Sequence, residues 1–460
     1  VGSGLDLSSI LDSLTAAQKA TLTPISNQQS SFTAKLSAYG TLKSALTTFQ
    51  TANTALSKAD LFSATSTTSS TTAFSATTAG NAIAGKYTIS VTHLAQAQTL
   101  TTRTTRDDTK TAIATSDSKL TIQQGGDKDP ITIDISAANS SLSGIRDAIN
   151  NAKAGVSASI INVGNGEYRL SVTSNDTGLD NAMTLSVSGD DALQSFMGYD
   201  ASASSNGMEV SVAAQNAQLT VNNVAIENSS NTISDALENI TLNLNDVTTG
   251  NQTLTITQDT SKAQTAIKDW VNAYNSLIDT FSSLTKYTAV DAGADSQSSS
   301  NGALLGDSTL RTIQTQLKSM LSNTVSSSNY KTLAQIAITT DPSDGKLELD
   351  ADKLTAALKK DASGVGALIV GDGKKTGITT TIGSNLTSWL STTGIIKAAT
   401  DGVSKTLNKL TKDYNAASDR IDAQVARYKE QFTQLDVLMT SLNSTSSYLT
   451  QQFENNSNSK

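Results

Sequence analysis

The sequence has no cysteine and only one histidine, His93, in 460 residues. The first absence excludes disulfides, Cys-ligated zinc and a cysteine nucleophile together. The second leaves one position for the commonest metal ligand and general base. His93 falls in the alternating run Tyr87 to Leu94, where an ordinary strand residue is the expected role. Aromatic residues make up 4% of a chain that is 37% hydrophobic, so its cores must be built from Ala, Leu, Ile and Val with few large anchors, as suits thin domains and long helices. No basic run of five or more residues occurs, and 33 Lys plus Arg against 41 Asp plus Glu give a net charge of −8, which argues against nucleic acid as the main partner. No stretch of about 18 consecutive apolar residues exists, so no membrane span is expected. No basic segment followed by an apolar one opens the chain, so no Sec-type signal peptide is visible.

What is present is a change of period along the chain. The first 58 residues read as helix. Asp6 is placed to cap a segment with Leu7, Ile10, Leu11 and Leu14 on one face. Thr23 and Pro24 read as the N-cap and first position of a second helix, whose Phe32, Leu36, Tyr39, Leu42, Leu46, Phe49 and Leu56 recur at three- and four-residue steps. The Ser/Thr-rich stretch from Thr65 to Thr78 reads as a connector or edge strand. From Gly85 to about Asp259 the period becomes two, as in Ile131, Ile133 and Ile135 or Tyr168, Leu170 and Val172, with a hairpin turn at Gly164, Asn165 and Gly166. Short helices are expected from Ser143 to Ala152 and from Thr232 through Ala236, Leu237 and Ile240. Helical periodicity returns at Ser261 with Ile267, Trp270, Val271, Tyr274, Leu277, Ile278 and Phe281, and again over Leu304 to Leu321 and Asp352 to Leu358. The longest pattern starts around Val403 and runs through Leu407, Leu410, Tyr414, Ala417 and Ile421 like a coiled-coil seam. It takes one extra four-residue step to Val425, a stutter, and resumes with Tyr428, Phe432, Leu435, Met439, Leu442, Ser446, Leu449 and Phe453. About 50 residues of helix span about 75 Å.

Motifs for chemistry fail on inspection. The acidic run Asp341 to Asp352 invites a calcium loop, but the acid required four residues before Asp344 is Thr340, so a turn at Asp344 and Gly345 between strands is expected instead. Gly373 and Lys374 lack the upstream glycine of a phosphate loop, that position being Leu368. The pairs Asp190–Asp191 and Asp107–Asp108 read as solvated surface carboxylates. No G-x-S-x-G elbow surrounds any serine. Neither a cofactor nor a metal nor a catalytic residue is expected.

Three segments taken together resemble the FliD family of flagellar filament caps: GSGLDLSSILDSL at Gly2 to Leu14, RYKEQFTQLDVLMTSLNSTSSYLTQQF at Arg427 to Phe453, and LSGIRDAINNAKAGVSASIINVGNGEYRLSVTSNDTG at Leu142 to Gly178, which is similar to a repeat of caps and some flagellins. YNSLIDTFSSLTKY, Tyr274 to Tyr287, and LLGDSTLRTIQTQL, Leu304 to Leu317, are similar to the helical domain of caps. The resemblance implies a non-enzymatic cap at the distal filament tip, outside the cell after a transient cytoplasmic stage. Type III export is implied, as is a ring, most often a pentamer. Implied partners are flagellin and the filament tip, hook-associated proteins, and a cytoplasmic chaperone on the C-terminal helix.

The expected fold is α+β and multidomain, a helical coiled-coil-like stalk formed by both termini with β-rich head domains inserted between them. Residues 1–35 with 410–460 are expected to form filament-contacting terminal helices, disordered when free. Residues 36–65 with 261–409 would form the helical stalk domain, 66–120 with 216–260 a β-rich head domain, and 121–215 an outer head domain carrying the flagellin-type repeat. The expected filament and chaperone contacts are Leu5, Leu7, Ile10, Leu11 and Leu14 at one end, and Tyr428, Phe432, Leu435, Met439, Leu442, Tyr448, Leu449 and Phe453 at the other. Two other classes stay open: a surface adhesin binding host glycans through its Ser/Thr-rich head, and an unrecognised hydrolase, the latter disfavoured by the single histidine.

Overall fold

The computed structural model describes residues 6–326 and 328–457, the side chain of Asn456 excepted. It divides into two compact units: one assembled from both ends of the chain, up to Ala59 and from Ser261 onward, and one formed by Asp60–Thr260. The first unit begins with α1 (Leu7–Ala20) and α2 (Thr23–Leu56). The Asp6 carboxylate accepts from the Ser9 N–H at 3.1 Å, capping α1 as its position in the sequence requires. Thr23, by contrast, opens α2 rather than capping it. Thr21 and Leu22 both keep right-handed helical backbone angles, so the chain passes from α1 to α2 without the extended residue that a side-chain cap needs.

The inserted unit holds strands β1 (Thr65–Ser69), β2 (Phe74–Thr78), β3 (Gly85–His93), β4 (Thr99–Thr102), β5 (Ser118–Gln124) and β6 (Ile131–Ile135), then α3 (Leu142–Ala152). There follow β7 (Val156–Gly164), β8 (Glu167–Ser174), β9 (Met183–Ser188), α4 (Asp191–Met197), β10 (Met208–Val212), β11 (Ala217–Val221), β12 (Val224–Asn228), β13 (Thr232–Leu237), β14 (Ile240–Leu244) and β15 (Gln252–Gln258). Every strand pair is antiparallel. A sheet ordered β1-β15-β3-β11-β12 and a second ordered β13-β14-β2 enclose one core, which includes Phe74, Ile89, Val91, Leu219, Ile233, Leu242 and Leu254. The sheets β10-β4-β8-β7 and β6-β5-β9, with α3 and α4, enclose another around Leu100, Leu120, Ile145, Ile149, Leu170, Val172 and Met208. The Ser/Thr-rich stretch supplies two edge strands, β1 and β2.

Two expectations for this region are corrected. The segment from Thr232 through Ile240 is a hairpin, not a helix. Asn239 takes a left-handed φ of 59° that ends β13, and beyond it Ile240, Leu242 and Leu244 bury alternate positions. The passage between the two cores lies between Ala95, which joins the first, and Leu100, which joins the second, not near residue 120. The return lies between Met208 and Ala217.

The chain then completes the helical unit with α5 (Ser261–Leu284), α6 (Ser308–Ser322), the hairpin β16 (Ile338–Thr340) and β17 (Leu347–Leu349), α7 (Ala351–Ile369), α8 (Ile378–Leu390) and α9 (Ile395–Ser457). The scarce aromatics concentrate here. Phe49 of α2 lies 6.0 Å from Trp270 and 5.9 Å from Tyr274, ring centre to ring centre, all three fully buried. Asn53, also buried, accepts from the Trp270 indole N–H at 3.0 Å and donates to the Thr379 carbonyl at 2.8 Å, so no polar atom of its side chain is stranded. Asp307 caps α6 through the Leu310 N–H and accepts from the Tyr39 hydroxyl at 2.6 Å and the Lys35 ammonium at 2.9 Å, fastening α6 to α2. Burial acts to push its carboxyl up, but these donors outweigh it and hold it below the usual carboxylate range.

Candidate functional site

Carboxylates that invited a chemical reading turn out to be spent on the backbone. Asp190 is buried, not solvated as expected. It caps α4 through the Leu193 N–H and also accepts from Thr115 and Ser116, and these bonds hold it far below the usual carboxylate range. Asp108 accepts from the N–H groups of Lys110 and Thr111. Asp341 and Asp344 stabilise the β16–β17 turn, where Gly345 has a φ of 78°, and Asp350 caps α7. In the loop before α8, Asp372 accepts from the N–H groups of Lys374, Lys375 and Thr376, so its own carboxylate fills the nest that a phosphate would need. Among the described residues, no group of three or more His, Asp or Glu is placed to hold a metal.

The feature left over is apolar. Helix α9 runs 63 residues, about 95 Å at the usual rise, starting eight residues before the repeat at Val403 that signalled it. It packs against α2 and α1. Gln29 of α2 donates to the Thr411 hydroxyl of α9 at 3.2 Å, and Leu36 and Tyr39 share a cavity with Ile396 and Thr400, which makes the two helices antiparallel. Carried along to α1, that register brings Leu7 opposite about residue 433. Beyond it no second helix lies along α9 among the described residues.

Burial follows this limit. Val403 and Ile421 are buried; Leu407, Leu410, Tyr414, Ala417, Val425, Tyr428 and Phe432 are half-buried. Exposure then rises along one stripe from 7% at Ile421 to 38% at Leu435, 53% at Leu442 and 72% at Phe453. Tyr448 and Leu449 are exposed as well, and Met439 is half-buried. On α1, Leu7, Leu11 and Leu14 are half-buried and Ile10 is exposed; no residue of this helix is buried. Leu5 lies outside the described residues. Sequence reasoning missed Val437 and Leu438, exposed at 67% and 57%. The signal for Leu438 was present, since Leu435, Leu438 and Leu442 follow the same three- and four-residue steps. Within their described residues the two terminal segments form α1, the start of α2 after a turn at Thr21 and Leu22, and the distal part of α9.

The polar face of distal α9 asks for nothing. Hydroxyls of Thr433, Thr440, Ser444, Thr445 and Thr450 each donate to the carbonyl four residues earlier. Apart from Val437, the exposed large apolar side chains of distal α9 lie on the stripe, where covering each is worth about 1.5–3 kcal/mol. A second amphipathic helix is the shape that fits it.

Comparison with known proteins gives the following. The family model for the C-terminus of flagellar hook-associated protein 2 matches residues 214–444, the model for its N-terminus residues 3–98, and the flagellin hook IN motif residues 119–176. The chain is 99% identical over 460 residues to flagellar hook-associated protein 2 of Escherichia coli O157:H7, covering 100% of this chain and 98% of that one. It is 50% identical over 456 residues to the Salmonella typhimurium protein of the same name, covering 98% and 97%. A crystal structure of the D1-D2-D3 domains of the flagellar cap protein FliD from Escherichia coli is similar with a TM-score of 0.75 at 96% sequence identity, covering 80% of this chain and 99% of that one.

Proposed function

The chain belongs to the flagellar hook-associated protein 2 family, and on that premise we propose that it is a structural, non-enzymatic cap at the distal tip of a flagellar filament, where it promotes flagellin folding and insertion. The observation that carries this reading is the loss of cover along α9 between Ile421 and Phe453. A preformed helix with an open apolar stripe is suited to complete a bundle with helices of another subunit, and it has little ordering entropy left to lose when it does. We assign the filament contact to Leu7, Ile10, Leu11 and Leu14 with Tyr428, Phe432, Leu435, Met439, Leu442, Tyr448, Leu449 and Phe453, and add Leu438 to the set. Leu5 is carried over from the sequence alone. The same stripe would be covered by a cytoplasmic export chaperone before secretion, so chaperone and filament compete for it.

We further propose a closed ring of copies, a pentamer by family resemblance, extracellular and seated on flagellin beyond the other hook-associated proteins. Residues 1–35 with 410–460 act as arms and 36–65 with 261–409 as their support. The test is a full-length chain carrying Leu438→Ser and Phe453→Ser, assayed in a strain lacking its cap. Its melting curve should match the parent's while filaments fail to grow. Normal filament growth would overturn the assignment of the seam. Light scattering at rising concentration checks the ring, since a strict monomer or an open polymer is incompatible with it.

A further inference from the structure

We propose that the turn Asn165–Gly166 is a self-modifying site, at which the chain converts its own asparagine to aspartate and isoaspartate. The sequence contains three Asn-Gly pairs, at Asn165, Asn206 and Asn301, and by composition alone they are equivalent. The fold makes them unequal. Asn206 accepts from the Asp200 N–H at 2.8 Å and donates to the Asp200 carbonyl at 2.9 Å, while the Gly207 N–H donates to the Gly198 carbonyl at 2.9 Å. Asn301 accepts from the Thr288 N–H at 2.6 Å, and the Gly302 N–H donates to the Lys286 carbonyl at 2.8 Å. In both pairs the nucleophile and the electrophile are held apart by partners of their own.

Asn165 and Gly166 form the two-residue end of the β7–β8 hairpin, with φ of 51° and 78°, closed by the pairing of Gly164 with Glu167. Both are exposed. Neither the Asn165 amide nor the Gly166 N–H makes a hydrogen bond among the described residues, because in such a turn the second central N–H points away from the ladder. Gly166 has no side chain to screen its nitrogen, and nothing lies within 4 Å of where a Cβ would stand.

The Gly166 backbone nitrogen, on losing its proton to solvent, attacks Cγ of Asn165. The Cγ–N bond breaks, the amide nitrogen leaves as ammonia with a proton from solvent, and a five-membered succinimide forms. Water then opens the ring at either carbonyl, giving aspartate or isoaspartate. No oxidant or cofactor enters. One negative charge is added, and the isoaspartyl branch inserts a methylene into a turn whose length sets the β7–β8 register.

The full-length chain is incubated at mildly alkaline pH, then mapped by mass spectrometry after trypsin and Glu-C digestion, with isoaspartyl methyltransferase labelling as the probe. Asn165 should react faster than Asn206 and Asn301 by about tenfold or more, since each of those must first break hydrogen bonds. In urea the three should react at comparable rates. Equal rates in the folded chain, or Asn165 the slowest, would overturn the proposal. Asn165→Gly tolerates the positive φ. It should abolish the first acidic band that appears on isoelectric focusing of aged protein, and persistence of that band would equally overturn it.

Discussion

Helix α5 and the distal part of α9 are written in nearly the same pattern. Ile267, Trp270, Tyr274, Leu277 and Phe281 step by threes and fours, and so do Phe432, Leu435, Leu438 and Leu442. On α5 every one of those five is buried; on α9 Leu435, Leu438 and Leu442 are exposed. What separates them is supply. Helices α2 and α7 of the same chain lie against α5, whereas the register of α1 and α2 on α9 runs out near Leu435. Periodicity therefore reports that a helix needs a partner, and it is the lengths of the other helices that decide whether the partner belongs to the same chain.

The sharpest way to break this contrast is Trp270→Ala. It removes the aromatic contact with Phe49 and strands Asn53, and should lower the stability of the helical unit by about 3–5 kcal/mol, read from a denaturant melt. Ile421→Ala, at the last well-covered position of the α9 stripe, should cost about 2 kcal/mol, the low end for a core deletion. A cost as large as that of Trp270→Ala would mean that α9 is core along its whole length.

Alkaline titration probes the α5 seam from another side. Burial pushes the Tyr274 phenol up to about 12, and burial with the bond to Asp307 takes Tyr39 above the usual phenol range. Below pH 10 the phenol is neutral in both states and its contribution is intact. From about 10, where the unfolded chain ionises, to about 12 that contribution is lost. Tyr274→Phe should flatten part of this fall in a pH series of melts, and an unchanged slope would remove Tyr274 from the account. The smallest effect on stability is expected from Leu442→Ala, within about 0.5 kcal/mol, because there is little contact to lose. Motility should nevertheless fall; a large drop in melting temperature with normal motility would reverse the comparison.

Much of this was legible in advance because amphipathic helices and alternating strands write their buried faces directly. The α5 stripe, the Asp6 cap, the Asn165–Gly166 turn and the edge character of Thr65 to Thr78 all follow from local chemistry. Helix α8 was missed although Ile378, Ile382 and Leu386 recur every four residues, because Thr379, Thr380, Thr381 and Gly383 between them lower helix propensity. The Thr232–Ile240 hairpin was misread because Ala236 and Leu237 look helical until Asn239 turns the chain. Asp190 could be read only in part: its cap on Leu193 is local, but its donors at Thr115 and Ser116 lie some 75 residues away. As for the seam, its residues are visible in the sequence, but where cover stops is set by the antiparallel register between distant helices.

The pairing of β1 with β15 bears on the order in which the molecule comes together. Ser66 and Thr257 face each other across that pair, 191 residues apart, and Asp259 closes onto Ala64 at 2.9 Å. Contacts of such long range form late, after local ones have shortened the loop between them. A chain delivered from its N-terminus thus presents β1 early and must leave it waiting. The β7–β8 hairpin can form in the meantime, then the second core, then the first, and only when β15 arrives is the inserted unit closed. The wide separation of β1 from β15 thus makes their pairing a late step in closing the inserted unit.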